Sequence, residues 1–159
     1  MVKELKRISV LGSTGSVGVN TLDLIERNRE RFDIVALTAG KNVDKLISQA
    51  RALNPSIAVI ADQDKYSELK EGLYGEGIEV AAGPNALIDA AERPADLVMS
   101  AMVGAIGLKP TLAAVSQGRC VALANKECLV CAGAIFMKSI HAHGTTLLPI
   151  DSEHSAIFQ

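Results

Sequence analysis

Tryptophan is absent from this 159-residue chain, and aromatic residues make up only 3% of it. The interior must therefore be built from aliphatic side chains. Alanine, valine, leucine and isoleucine carry it, as expected where parallel strands are buried on both faces. Basic excess is lacking too. The net charge is −2 with both signs dispersed, so no stripe of cations points to nucleic acid. Apolar runs are broken by glycine, proline or charge before they could span a bilayer, and the first residues lack the apolar core of a signal peptide. No membrane role is expected, and the cytoplasm is the expected location. Cysteine is scarce and odd in number, at Cys120, Cys128 and Cys131, which excludes a disulfide framework and argues for reduced thiols. Cys128-Leu129-Val130-Cys131 has the spacing of a redox or zinc motif. A zinc site needs further Cys or His ligands, and there is no second cysteine pair. A structural role, in the core or on a helix surface, is expected of these thiols.

What is present is an alternation. Apolar runs near 7–13, 32–39, 57–61, 78–83, 97–102, 120–125 and 146–150 predict about seven short buried strands. Helical spacing fills the gaps: a first helix with Val17, Thr21, Leu22, Leu24 and Ile25 on its apolar face, then segments over 43–53, 65–73, 85–91, 105–117 and 126–142. Pro55, Pro84 and Pro94 fall in connections, and Gly118 and Gly144 follow helical segments as capping glycines do. Without a long polar linker or an internal repeat, the pattern predicts one α/β domain over 1–150, doubly wound and Rossmann-like, with a largely parallel sheet. At this length the chain is short for a two-domain oxidoreductase. It stops a few residues into a helical pattern at Ala156-Ile157-Phe158-Gln159, as expected of a piece of a longer protein, so residues 151–159 are read as the opening of a second region.

Three sites carry chemistry, the first built from two segments. Gly12-Ser13-Thr14-Gly15-Ser16-Val17-Gly18 joins the first strand to the first helix. Glycines there let the backbone turn tightly and approach phosphates, whose charge rests on amides at the helix N-terminus. The spacing is G-x-x-G-x-x-G, a variant of the commoner fingerprint, and a plain tight connection would look alike. After the second strand, an NAD-preferring unit carries an acid that bonds the ribose 2′-hydroxyl. Here the chain reads Thr38-Ala39-Gly40-Lys41-Asn42. A lysine attracts a 2′-phosphate where an acid would repel it, which favours NADP(H). Equally, Lys41 and Asn42 fit an exposed turn with Asn42 capping the next helix.

The second site, Ala124-Asn125-Lys126-Glu127, follows the sixth strand at the carboxyl edge of the sheet, where such folds bind ligands. Lys126 there suits an anionic substrate, and Asn125 and Glu127 suit a ribose or amide. The competing role is an N-cap and a charged first turn. The third is Pro149-Ile150-Asp151-Ser152-Glu153-His154. Alternate residues of an extended segment share a face, so Asp151 and Glu153 can meet on a hard cation such as Mg2+ or Mn2+, with a further ligand from elsewhere. Ser152 as an N-cap flanked by acids explains the same residues.

Taken in order, LGSTGSVG (Leu11–Gly18), ALTAGKN (Ala36–Asn42), GLKPTLAA (Gly107–Ala114), ALANKE (Ala122–Glu127) and LLPIDSEHSAIFQ (Leu147–Gln159) resemble the 1-deoxy-D-xylulose 5-phosphate reductoisomerase family of non-mevalonate isoprenoid biosynthesis. The resemblance implies that Thr14, Gly15, Ser16 and Val17 line the NADPH pyrophosphate, and that Gly40, Lys41 and Asn42 surround the 2′-phosphate end. It implies that Asn125 and Glu127 contact the cofactor and Lys126 the sugar-phosphate substrate. Asp151 and Glu153 would ligate the divalent metal, with Ser152 and Glu153 meeting the substrate. Family members are more than twice as long and usually dimeric, with further C-terminal domains. The implied activity is rearrangement and NADPH-dependent reduction of 1-deoxy-D-xylulose 5-phosphate to 2-C-methyl-D-erythritol 4-phosphate. A polypeptide of this extent alone is expected to bind NADPH at best weakly and to turn nothing over. Cys128 and Cys131 stand where small polar residues are expected. Two other readings remain: an NADP-dependent dehydrogenase of the homoserine or semialdehyde type, and a non-catalytic dinucleotide sensor. Neither needs Asp151 and Glu153 as a metal pair.

Overall fold

The computed structural model describes residues 5–124 and 126–150. Among the described residues, seven strands alternate with six helices. The strands are β1 (Lys6–Leu11), β2 (Phe32–Ala39), β3 (Ile57–Ile60), β4 (Glu79–Ala82), β5 (Leu97–Ser100), β6 (Cys120–Leu123) and β7 (Thr146–Pro149). The helices are α1 (Ser16–Glu26), α2 (Val43–Leu53), α3 (Tyr66–Gly72), α4 (Pro84–Glu92), α5 (Leu108–Ser116) and α6 (Lys126–His143). All neighbouring strands pair in parallel, in the order β4-β3-β2-β1-β5-β6-β7. The chain thus winds outward from β1 to β4, returns to lay β5 on the other side of β1, and winds outward again.

Strand side chains alternate between two faces, and each face has its own core. On one, Ile8, Val10, Ile34 and Leu37 meet helices α1, α2 and α3 through residues such as Leu22 and Leu46. On the other, Leu11, Val35 and Val98 meet α4, α5 and α6 through Leu87, Val115 and Phe136. Between Ile8 and Ser9 the register slips: Ile8 pairs with Ile34, but Ser9 pairs with Ala36. The extra residue, Val35, lets β2 send Val35 and Ala36 together to the second face, as a bulge does.

Helix ends follow local chemistry. Gly118 and Gly144, with φ of 66° and 65°, sit just past α5 and α6, in the left-handed position that a glycine takes without strain. Pro84 is not a connection residue, as the sequence suggests, but the first residue of α4. That position has no intrahelical use for an N–H, and proline's φ suits it. The predicted helix over 105–117 divides into a 3-10 turn at Ala105–Gly107 and α5. The predicted helix over 65–73 is likewise preceded by a 3-10 turn, Gln63–Lys65. Inside α6, Ala132 has non-helical torsions (φ −139°, ψ 25°), which kink the helix.

Candidate functional site

Neighbouring strands diverge from β1 in opposite winding directions, so a crevice opens at the carboxyl ends of β1 and β5. This is where open α/β sheets accept ligands. A cleft of about 190 Å³ lies there. Gly12 and Thr14 line it from the turn after β1, Gly40 from the turn after β2, and Met102 and Ile106 from the segment after β5.

The glycine turn is shaped by what cannot fit. Gly12 has φ +84°, and a Cβ there would stand 2.8 Å from the carbonyl carbon and oxygen of Ala101. Backbone crossing the β1–β5 crevice therefore touches backbone. A Cβ on Gly18 would lie 2.3 Å from the Gly12 oxygen, so α1 can sit directly on the turn. Gly15 caps α1 without a side chain, and no acid occupies the first turn. The Gly15 N–H closes a tight turn onto the Gly12 carbonyl at 3.2 Å. The positive end of the helix dipole is left to a ligand, and an anion is what it favours. This cradle fits a pyrophosphate.

The turn is bonded from one side. The Gly12 N–H donates to Thr38 Oγ1 at 2.9 Å, and the Ser13 N–H to the Thr38 carbonyl at 2.8 Å. Buried Ser13 also gives its hydroxyl to Gln49 Oε1 at 2.8 Å, while Gln49 Nε2 donates back to the Ser13 carbonyl at 2.9 Å. Lys45 Nζ donates to the Thr14 carbonyl at 3.1 Å. Thr38, Lys45 and Gln49 do not stand out in the sequence. Their partners are 25 to 36 positions away, and the only signal is a buried threonine ending an apolar strand.

Of the predicted cofactor residues, Thr14, Gly15, Ser16 and Val17 form the turn and the start of α1. Val17 is half-buried against the core, which leaves its amide as the group for a ligand. Gly40, Lys41 and Asn42 lie exposed between β2 and α2. Asn42 does cap α2: its Oδ1 accepts from the Lys45 N–H at 3.1 Å. Its NH2 is the group left for a ligand. Lys126, exposed, and Glu127, half-buried, open α6 just beyond β6. These three turns share one sheet edge because every strand is parallel. Asn125, Asp151, Ser152 and Glu153 lie outside the described residues. Among the described residues, no three His, Cys, Asp or Glu side chains gather as metal ligands would.

Cys128 directly follows Glu127 in the first turn of α6. Cys128 is 1% exposed, and burial pushes its thiol pKa up, partly offset by a hydrogen bond with Thr111. Cys131 is exposed, and no disulfide is formed. No described helix is long and apolar enough to cross a membrane.

The family model for 1-deoxy-D-xylulose 5-phosphate reductoisomerase matches residues 8–133. A reductoisomerase of that name from Rhodospirillum centenum is 59% identical, over 98% of this chain and 39% of its own length. The solved structure of the Zymomonas mobilis enzyme in complex with NADPH is 53% identical with a TM-score of 0.97, covering 98% of this chain and 41% of that one. A further reductoisomerase structure, with NADPH, fosmidomycin and magnesium, is 41% identical with a TM-score of 0.93, over 98% of this chain and 38% of that one. This chain thus spans about two fifths of the relatives it matches. A homoserine dehydrogenase, at 21% identity and a TM-score of 0.52, shares the fold alone, so the homoserine-type reading is not favoured.

Proposed function

The chain belongs to the 1-deoxy-D-xylulose 5-phosphate reductoisomerase family, and from that membership we propose that it is the NADPH-binding part of such an enzyme. The whole protein would rearrange and reduce 1-deoxy-D-xylulose 5-phosphate to 2-C-methyl-D-erythritol 4-phosphate in non-mevalonate isoprenoid biosynthesis. The observation that carries this reading is the glycine turn: a cradle that excludes Cβ atoms at Gly12 and Gly18 beneath a helix end with neither side-chain cap nor acid.

Each residue then has a physical task. The amides of Ser16 and Val17, with Thr14 and the side-chain-free Gly15 beside them, hold the pyrophosphate. Lys41 neutralises the 2′-phosphate, with Gly40 allowing close approach (a Cβ there would meet nothing within 4 Å) and Asn42 offering its NH2. Asn125 and Glu127 orient the cofactor, and Lys126 draws in the sugar phosphate. Asp151 and Glu153 would hold Mg2+ or Mn2+, and Ser152 and Glu153 would meet the substrate. Bound NADPH supplies the hydride, and the cation supplies Lewis-acid stabilisation of negative charge on substrate oxygens. The assembled enzyme is a cytoplasmic homodimer in this reading.

Titration of the chain with NADPH and NADH, followed by nicotinamide fluorescence, tests it. NADPH is expected to bind about tenfold more tightly or better, as loss of a charge-assisted bond predicts. Lys41→Ala should remove most of that preference. Equal affinities in the unaltered chain would defeat the 2′-phosphate assignment.

A further inference from the structure

Helix α2 touches both ends of the proposed cofactor site. Its head carries Lys41 and Asn42, the latter bonded into the first turn through the Lys45 N–H. Two turns further on, Gln49 grips Ser13 by two hydrogen bonds, one to the hydroxyl and one to the carbonyl. Lys45 adds an exposed third tie, to the Thr14 carbonyl. A side-chain amide that both accepts from and donates to a single buried residue cannot satisfy both bonds if that residue turns or slides.

We propose that Gln49 is a positioning residue for the dinucleotide, fixing the glycine turn to α2 so that the pyrophosphate cradle and the Lys41 turn are held at a set span. This deepens the NADPH reading above and rests on it. Gln49 would not touch the ligand. It would act through Ser13, whose neighbours Gly12 and Thr14 line the cleft.

The consequence concerns selectivity as well as affinity. NADPH has two anionic anchors, and binding the second after the first depends on how well their receptors are held apart. NADH lacks the 2′-phosphate and gains nothing from that span. Loosening the turn relative to α2 should therefore weaken NADPH more than NADH. A residue that merely stabilises the turn would weaken both alike.

The test is a double-mutant cycle. Gln49→Met keeps the length of the side chain and removes both strong hydrogen-bonding groups. Ser13 keeps the Thr38 carbonyl, 3.1 Å from its hydroxyl, as an acceptor. Gln49→Glu, a second variant, keeps the acceptor for the Ser13 hydroxyl but cannot donate to the Ser13 carbonyl when ionised. Each is made alone and with Lys41→Ala, and NADPH and NADH are titrated against all of them. We expect Gln49→Met to weaken NADPH about tenfold and NADH about two- to threefold, the loss of one or two net hydrogen bonds. In the Lys41→Ala background the NADPH loss should shrink to that of NADH. Gln49→Glu should weaken NADPH at least as much as Met does, because its second carboxylate oxygen faces the Ser13 carbonyl, 2.9 Å from the present amide nitrogen, and its charge repels an anionic ligand. Equal proportional losses for the two cofactors, or strict additivity with Lys41→Ala, would overturn the positioning role while leaving the NADPH reading intact. Failure of the unaltered full-length protein to bind NADPH would overturn the reading itself, and the proposal with it.

Discussion

The turn after β1 and the helix after β6 stand on the same carboxyl edge of the sheet, but they are held in different ways. The turn is enclosed: Ser13 and Thr38 are fully buried, and the backbone is bonded to β2 and α2. Helix α6 buries only Cys128, Phe136 and Ile140 of its 18 residues. It leaves Val130 81% and Ile135 64% exposed, and bends at Ala132. Beside it, β7 has no fully buried residue, whereas β2 buries six of its eight. Polar interlocking therefore sets the geometry of the glycine turn, and a few apolar anchors hold the helix that carries Lys126 and Glu127. Precision on the phosphate side comes from many small constraints. On the other side, among the described residues, it rests on individual side chains.

The sharpest way to break that contrast is at α6. Phe136→Ala removes a fully buried ring and should cost about 3–5 kcal/mol in urea unfolding, while Ile135→Ser on the same helix should stay within about 0.5 kcal/mol. Similar costs for the two would mean that α6 is supported along its length. Next comes a single substitution made in both regions. Gly12→Ala places a methyl group against Ala101 in left-handed backbone, for about 2–4 kcal/mol of destabilisation. Gly133→Ala meets nothing within 4 Å and should stabilise α6 by about 0.5–1 kcal/mol, because alanine suits a helix better. Asn42→Ala should cost about 1 kcal/mol as a lost cap, and Asn42→Asp much less. NADPH titration of the same pair separates capping from cofactor contact.

The smallest effect is on thiol chemistry. Iodoacetamide should modify exposed Cys131 well before Cys128, since thiolate is the nucleophile and burial holds Cys128 protonated. Burial raises the Cys120 pKa in the same way. Both groups contribute stability that is fully present below the ordinary thiol pKa, where folded and unfolded chains alike keep the proton. Above it only the unfolded thiols ionise, so stability should fall as pH rises toward the raised folded values. Urea unfolding at pH 7.5 and 9.5, compared with Cys128→Ala, reads the Cys128 share of that loss.

Elements buried on both faces were easiest to read from sequence. Ile57–Ile60 and Leu97–Ser100 are continuous apolar runs bounded by turn residues, and each became a strand within a residue or two of its expected ends. Strand order was not legible, because nothing local tells β1 that β5 will lie beside it. Nor was the kink at Ala132, which no proline or glycine pair marks. The chemistry-bearing turns were legible through glycine at Gly12 and Gly18 and through the missing acid near Lys41. The residues that hold them, Thr38 and Gln49, act through long-range hydrogen bonds between residue types common on any surface. Sequence spacing carries no trace of such bonds.

The strand order also bears on how the chain is made. β1 is central, yet its partner β5 lies far downstream: Arg7 and Asp96, joined by a backbone–carboxylate hydrogen bond, are 89 positions apart. At a synthesis rate of about 5–20 residues per second, β5 leaves the ribosome on the order of 5–20 s after β1. During that interval β1 has β2 on one side and an open row of backbone donors and acceptors on the other, the template on which stray strands pair. The closure entropy of so long a loop slows the correct partner further. Until β5 docks, Ala101 is not against Gly12, and the crevice that defines the phosphate site does not exist.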